Sequence, residues 1–514
     1  MNSCDKINII MIKNNIHFNA LNKKMMFNLL LFILCSFSGI SQTPTEPLKP
    51  NNSIQKYADG MTNYKTLRHA PFSFYVKNLN DGSVVADVNG NMSIPAASTM
   101  KLVTTATAIK ILGTKYRFKT KIAYSGYIDS TTQTLHGDLY IIGGGDPTLG
   151  SKYYNKPGHE KDFLAKWADT IYNSGIHQID GRVIADASIY RYQGVPSGWV
   201  WGDLGNYYGA GPSGLTVFDN RLSLHFKTGP NIGDSTKLIC MEPYIPNIIM
   251  HNSVKSAKPK KDNAYVYGAP YSDYWFVRGS LHQNEEDFTV KASIPDPEFV
   301  VAYEMDYALE QAGVKVKYYP TTNRKLMNDS TYQKPETILI YKHYSPSITS
   351  IINWTNQRSV NLFAEHILCQ ISVKRSGYGS TYNGALIAMG YWRNKIDASA
   401  LFMTDGSGLS RSNAVSAKFF CDMLNYMKTS STLKKSLAIA GKKGTMASIG
   451  RKTSASGRVI GKSGTMTRMK AYTGYVNTKT GKKLAYAMII NNYNCPTSTV
   501  KKYFQTLMIK MAEY

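Results

Sequence analysis

Residues 94–112 read "IPAASTMKLVTTATAIKIL", and the fold assignment turns on that stretch. Leu102, Val103, Ala106, Ile109 and Leu112 recur at the three- and four-residue intervals that align side chains on one face of a helix. The Pro-Ala-Ala-Ser entry marks the start of that helix, so Ser98 falls near its first turn and Lys101 shares its face. A serine needs a base to become a nucleophile, and a lysine serves when burial and neighbouring cations lower its pKa. The helix N-terminus also favours the negative charge that develops there. Spacing alone is not diagnostic: Ser3, Ser53, Ser431 and Ser498 also have a lysine three residues on, where a helix cap beside a solvated lysine is the ordinary outcome.

Towards the N-terminus, "FSFYVKNLNDGSVVADVNGN" from Phe72 predicts two strands around an Asn-Asp-Gly turn. Earlier still, Lys23 and Lys24 precede "MMFNLLLFILCSFSGI", an apolar run short for a membrane span but suited to a signal-peptide core. Small residues at Gly39 and Ser41 predict cleavage before Gln42. Residues 1–41 are thus expected to be a signal peptide and 42–69 a linker or N-terminal segment, with the mature protein exported to the periplasm or cell envelope. The rival reading, a lipid anchor on Cys35, is weakened by Leu34, which stands where a small residue is wanted.

Towards the C-terminus, the texture from about Tyr116 changes to strands and Gly-rich turns, predicting an insertion over 116–329. Helical periodicity returns in "FVVAYEMDYALEQAG", "SVNLFAEHILCQIS" and "SAKFFCDMLNYM". The chain ends in alternating strands, "GRVIGKSGTM", "MKAYTGYVN" and "LAYAMIINNY", and a helix from about Thr497. Gly-Lys-x-Gly-Thr-Met occurs twice, at 441–446 and 461–466. Val459 and Ile460 lead the second copy into a strand, whereas polar "ASIGRKTSASG" follows the first, so Lys462 is expected on a sheet and Lys442 in a loop.

The formal charge of +26 favours anionic partners, and export argues against nucleic acid. "KSAKPKKDN" from Lys255 lacks aromatic interleaving and reads as a solvated loop. Cys240, Cys369, Cys421 and Cys495 are scattered without CxxC or Cys/His metal spacing, and Cys369 and Cys421 are expected to be buried thiols. The histidines form no HExxH pair, so neither a metal nor another cofactor is expected. "GGGDPTL" from Gly143 is not a phosphate loop, because no Lys-Ser/Thr follows and Pro147 interrupts it.

Ser98-x-x-Lys101, Ser359-Val360-Asn361 at the start of an apolar helix, and Lys462-Ser463-Gly464-Thr465 on a late strand occur in an order that resembles the serine penicillin-binding proteins and β-lactamases. With "GDLYIIGGGDPTL", "DGSGLSRSN", "SVNLFAEHIL" and "AGKKGTM", the chain is similar to the D-alanyl-D-alanine carboxypeptidase/endopeptidase family, the class C low-molecular-mass penicillin-binding proteins. The resemblance runs from about Ala70 to the end. It implies an α+β fold: a transpeptidase-like domain, an antiparallel sheet flanked by helices, over 70–115 and 330–514, with the strand-rich insertion forming one or two extra domains.

It also implies roles. Ser98 would be acylated by a peptidoglycan stem peptide with Lys101 as general base. Ser359 would relay the proton, Asn361 orient Lys101 and the substrate amide, and Lys462 supply positive charge. Ser463, Gly464 and Thr465 would form the strand that binds the substrate carboxylate, and Asp146 would receive a cationic end of the stem peptide. Asp405 is expected to brace the site floor, and Glu365 to solvate or brace its helix. β-Lactams would be covalent inhibitors and anionic envelope polymers further partners. The family's usual threonine is Ser463 here, which keeps the hydroxyl. A β-lactamase and a catalytically weak cell-wall binding or sensing module remain the competing readings.

Overall fold

The computed structural model describes residues 50–514. The expected signal peptide, 1–41, and the first part of the expected linker lie outside the described residues.

The molecule is organised around a six-stranded antiparallel sheet. Its order runs Ala438–Ile439, Val459–Met466, Met469–Asn477, Lys483–Asn491, Phe72–Asn78 and Val84–Val88, so the first strand of the chain pairs with the last. Strand periodicity of two divides the apolar side chains between two faces. In Lys483–Asn491, Ala485, Ala487 and Ile489 pack beneath the helices that carry the motifs, while Leu484, Tyr486, Met488 and Ile490 face the terminal helices. The first layer includes helices Lys101–Ile111, Ile348–Arg358, Asn361–Ser376, Thr381–Arg393 and Ala417–Tyr426. The second includes Ser53–Thr62 and Thr497–Glu513.

That second layer departs from the expected linker. Ile54, Ala58 and Met61 fall on one helical face and are fully buried, and the Asn52 side chain caps the helix by accepting from the amides of Ile54 and Gln55. Residues 53–62 are therefore part of the core.

The insertion has its own core, built on two three-stranded sheets, a four-stranded and a five-stranded sheet. It also contains helices that its strand-rich texture concealed: in Asp162–Asn173, Leu164, Trp167, Ala168 and Ile171 form the buried stripe. Its C-terminal boundary lies later than 329, because strand Ile338–Tyr344 pairs with Lys119–Tyr124 of the five-stranded sheet. His366, on the Asn361–Ser376 helix, ties the insertion to the first domain: its Nδ1 is 2.8 Å from the Gly145 carbonyl and its Nε2 3.0 Å from Thr216 Oγ1. Burial lowers its pKa to about 4, so the ring is neutral and Nδ1–H donates to the carbonyl.

Candidate active site

Ser98 lies in a short 3₁₀ turn, Ala97–Met100, that runs directly into the Lys101–Ile111 helix. Ala97 before it has φ 47°, an unfavourable left-handed conformation for a residue with a Cβ. The strand Val459–Met466 passes so close that a Cβ on Gly464 would stand 2.6 Å from the Ala96 carbonyl oxygen. Glycine is needed there because only a bare backbone can lie against the serine turn.

Lys101 is fully buried. Its Nζ lies 3.1 Å from Ser98 Oγ and donates to Asn361 Oδ1 at 2.6 Å and to the Ser407 carbonyl at 2.7 Å. Burial lowers its pKa to about 7, against the opposing pull of Asp405 and Glu365. With three oxygens around it and a pKa near neutrality, the amine can take a proton from Ser98. Asn361 is held in turn, its Nδ2 donating to the Tyr208 carbonyl of the insertion at 2.8 Å.

Lys462 faces this group from the sheet, also fully buried, with Nζ 2.8 Å from Ser359 Oγ and 2.6 Å from the Ser463 carbonyl. Ser359 ends the Ile348–Arg358 helix with φ 60° and ψ 39°, a left-handed cap that delivers its hydroxyl between the two helices. Burial, then Lys101 and Lys470, lowers the Lys462 pKa well below its ordinary value.

The two Gly-Lys-x-Gly-Thr-Met copies meet. Lys462 is on the strand and Lys442 in a turn, as the sequence predicts, but Thr445 of the first copy accepts a 2.8 Å hydrogen bond from Ser463 Oγ. Across the strand pair, Lys470 donates to Thr465 Oγ1. Lys470 is 3 % exposed, and burial with the nearby Lys501 lowers its pKa to about 7. Sequence reading missed it, although a lysine at a buried register of the apolar strand "MKAYTGYVN" is a signal.

Beneath the site, Asp405 accepts from the amides of Gly408 at 2.7 Å and Ser410 at 2.6 Å and from Trp199 Nε1 at 2.8 Å. Glu365 is not a solvated helix residue. It is fully buried and accepts from the amides of Gly406 at 2.9 Å and Ser407 at 2.7 Å, while burial and Asp405 push its pKa up. Both carboxylates therefore shape the loop whose Ser407 carbonyl holds Lys101.

Asp146 does not join the group. It is 1 % exposed, and its Oδ1 closes its own turn on the amide and hydroxyl of Thr148 at 2.8 and 2.7 Å. Burial raises its carboxyl pKa to about 6. A carboxyl so enclosed is a turn-forming group rather than a receptor for a substrate cation.

Among the described residues no group of three or more His, Cys, Asp or Glu side chains could hold a metal ion. Of the six cysteines, the four among the described residues form no disulfide with one another, and Cys369 and Cys421 are buried.

The chain is similar to proteins of known family. A D-alanyl-D-alanine carboxypeptidase of Haemophilus influenzae is 24 % identical over 442 residues, covering 82 % of this chain and 85 % of that protein. A D-alanyl-D-alanine carboxypeptidase of an Actinomadura species is 26 % identical over 483 residues, covering 90 % and 85 %. The crystal structure of penicillin binding protein 4 of Haemophilus influenzae superposes with a TM-score of 0.77 at 21 % identity, covering 89 % of this chain and 99 % of the other, which establishes the shared fold. Residues 54–512 match the model of one peptidase family, and the chain belongs to it: the D-Ala-D-Ala carboxypeptidase 3 (S13) family.

Proposed function

We propose that the protein is a serine D-alanyl-D-alanine carboxypeptidase, endopeptidase or both, of the cell envelope, acting on peptidoglycan stem peptides. The observation that carries this reading is the buried Lys101 amine, 3.1 Å from Ser98 Oγ and fixed by Asn361 and the Ser407 carbonyl.

Ser98 Oγ attacks the carbonyl carbon of the penultimate D-alanine as its proton passes to Lys101 Nζ. The amides of Ser98 and Thr465, on segments that Gly464 lets approach, stabilise the oxyanion. As the C–N bond breaks, the proton passes from Lys101 to the leaving amine through Ser359 Oγ. Water then attacks the acyl-enzyme ester, giving its proton to Lys101, which returns it to Ser98 Oγ as the C–O bond breaks and the product acid leaves. The leaving residue's carboxylate sits against Ser463 and Thr465 and supplies the counter-charge that Lys462 and Lys470 lack.

A β-lactam, presenting a similar carbonyl and carboxylate, acylates the same serine. The related Haemophilus influenzae penicillin binding protein 4 has been solved in complex with a β-lactam. Glu365, committed to the amides of Gly406 and Ser407, is not free to activate water, which disfavours the β-lactamase reading. The apolar run at 25–40 supports export to the periplasm or cell envelope, where the chain, at +23 once Lys6, Lys13, Lys23, Lys24 and Asp5 are removed with residues 1–41, would attract anionic polymers.

The test is incubation of the protein and its Ser98→Ala variant with a fluorescent penicillin, followed by intact mass over hours. A persistent single adduct on the wild type alone is expected. Rapid adduct loss with drug turnover would mean a β-lactamase, and no adduct would leave a binding module.

A further inference from the structure

One three-stranded sheet of the insertion, Ile249–Ala257, Tyr274–His282 and Tyr265–Tyr267, has an unusual outer face. Strand alternation sends Val266, Trp275 and Val277 into the core, where all three are buried. The alternate positions face water and would ordinarily be polar, yet here they are largely aromatic. Register sets Ile249 opposite Tyr274, His251 and Tyr267 on either side of Phe276, and Tyr265 opposite Arg278, so these side chains share one continuous face. The His251 and Phe276 rings are near-parallel with centroids 5.2 Å apart, His251 and Tyr274 lie 6.4 Å apart, and the Arg278 guanidinium stands 5.9 Å from the Phe276 centroid. Tyr274 is 60 % exposed and Tyr265 51 %, so core packing explains neither. A contiguous exposed patch of this kind marks a place where something binds.

The face is joined to the candidate catalytic group. Trp201, 53 % exposed, extends it beyond the edge strand Tyr265–Tyr267, its ring centroid 6.4 Å from that of Tyr267. From Trp201 the chain runs to Asn206, whose Nδ2 donates to the Val266 carbonyl and whose Oδ1 accepts from the Val266 amide, both at 3.2 Å. Two residues later the Tyr208 carbonyl holds Asn361. One short segment, pinned to the edge strand, therefore connects the aromatic face to the residue that fixes Lys101.

We propose that this face binds glycan, the polymer of N-acetylated hexosamines from which stem peptides branch. The proposal rests on the peptidase reading above, since a stem peptide held at Ser98 leaves its sugar chain to lie along the surface leading away from the site. The polarised C–H bonds on one side of a pyranose are attracted to the negative face of an aromatic ring. Sugar hydroxyls and N-acetyl groups find hydrogen-bonding partners in the tyrosine hydroxyls, His251 and Arg278. A second copy of the chain is a poorer occupant: interfaces between identical copies are rich in apolar side chains, whereas Ile249 and Phe276 are the only wholly apolar members of this face.

The experiment is calorimetric titration of the protein with the N-acetylglucosamine hexamer, a neutral probe to which the basic surface contributes no charge attraction. Sedimentation velocity and fluorescent-penicillin labelling of Ser98 are measured in parallel, the labelling as the control for folding. The wild type is expected to bind the hexamer, and the double variant Tyr274→Ser, Phe276→Ser to bind it at least about tenfold more weakly, as for the loss of two stacking rings. Trp201→Ala, on a different element, should weaken it as well. No binding by a wild type that labels normally overturns the glycan surface and leaves the peptidase standing. Undiminished binding in both variants overturns it by placing the sugar elsewhere. A dimer that the double variant dissociates, without hexamer binding, overturns it in favour of a second copy. Hexamer binding that the variants weaken, in a wild type that penicillin does not label, overturns the peptidase reading and leaves the glycan surface standing.

Discussion

Lys101 is poised between two protonation states, and the rate should report it. The free amine is the reactive form, and with a pKa lowered to about 7 its fraction grows as pH rises through neutrality. Acylation by penicillin is therefore expected to rise about tenfold per pH unit below 7 and to level off above it. A stopped-flow pH series checks this, and a flat profile from pH 5 to 8 would exclude Lys101 as the base. Lys470 makes a different prediction. Lys470→Met removes a cation at Thr465 without touching Ser98, so KM for a D-Ala-D-Ala peptide should rise about tenfold, with kcat changing less. Steady-state kinetics that leave KM unmoved would remove Lys470 from carboxylate binding. The contrast between these lysines also shows what a sequence discloses. Ser98 and Lys101 are legible because three residues on one helix face is a local relation. Thr445 and Lys470 reach the site through strand pairing and a turn, and the carbonyls of Ser407 and Tyr208 are backbone atoms with no signature in residue type.

At the scale of elements, the loop "DGSGLS" is as much part of the machinery as the motif helices, and Glu365 is what sets its path. Glu365→Ala leaves the buried amides of Gly406 and Ser407 without their acceptor, at a cost of about 3 kcal/mol or more. Urea denaturation should show that loss, whereas Glu365→Gln, which keeps an acceptor oxygen, should recover much of it. Stability unchanged in the alanine variant would mean that the loop holds itself. The helices and strands themselves were largely readable from periodicity, because burial on one face imposes it. Ser53–Thr62, Asp162–Asn173, Ile348–Arg358 and Thr381–Arg393 escape that reading, and the first two show a physical cause. Ser53–Thr62 is short and polar on its outer face, so its three buried apolar residues do not stand out. Asp162–Asn173 carries a clear apolar stripe, masked by the Tyr- and Gly-rich strands around it.

For the whole molecule, the terminal layer is structural. Met61 is fully buried against the face that carries Phe504 and Met508 of the last helix, so Met61→Ala should cost about 2–5 kcal/mol by cavity formation. A shift in the denaturation midpoint checks it, and no shift would mean that the N-terminal helix is dispensable. The sheet order has a further consequence for how the protein comes into being. Phe72–Asn78 is hydrogen-bonded to Lys483–Asn491, and the serine turn rests on Val459–Met466, so neither the sheet nor the nucleophile's setting can form while the C-terminal strands are missing. Joining such distant segments is entropically slow. During synthesis the chain thus carries Ser98 and Lys101 long before Asn361 and the Val459–Met466 strand that complete their setting, and the site is assembled only after the C-terminal strands have been made.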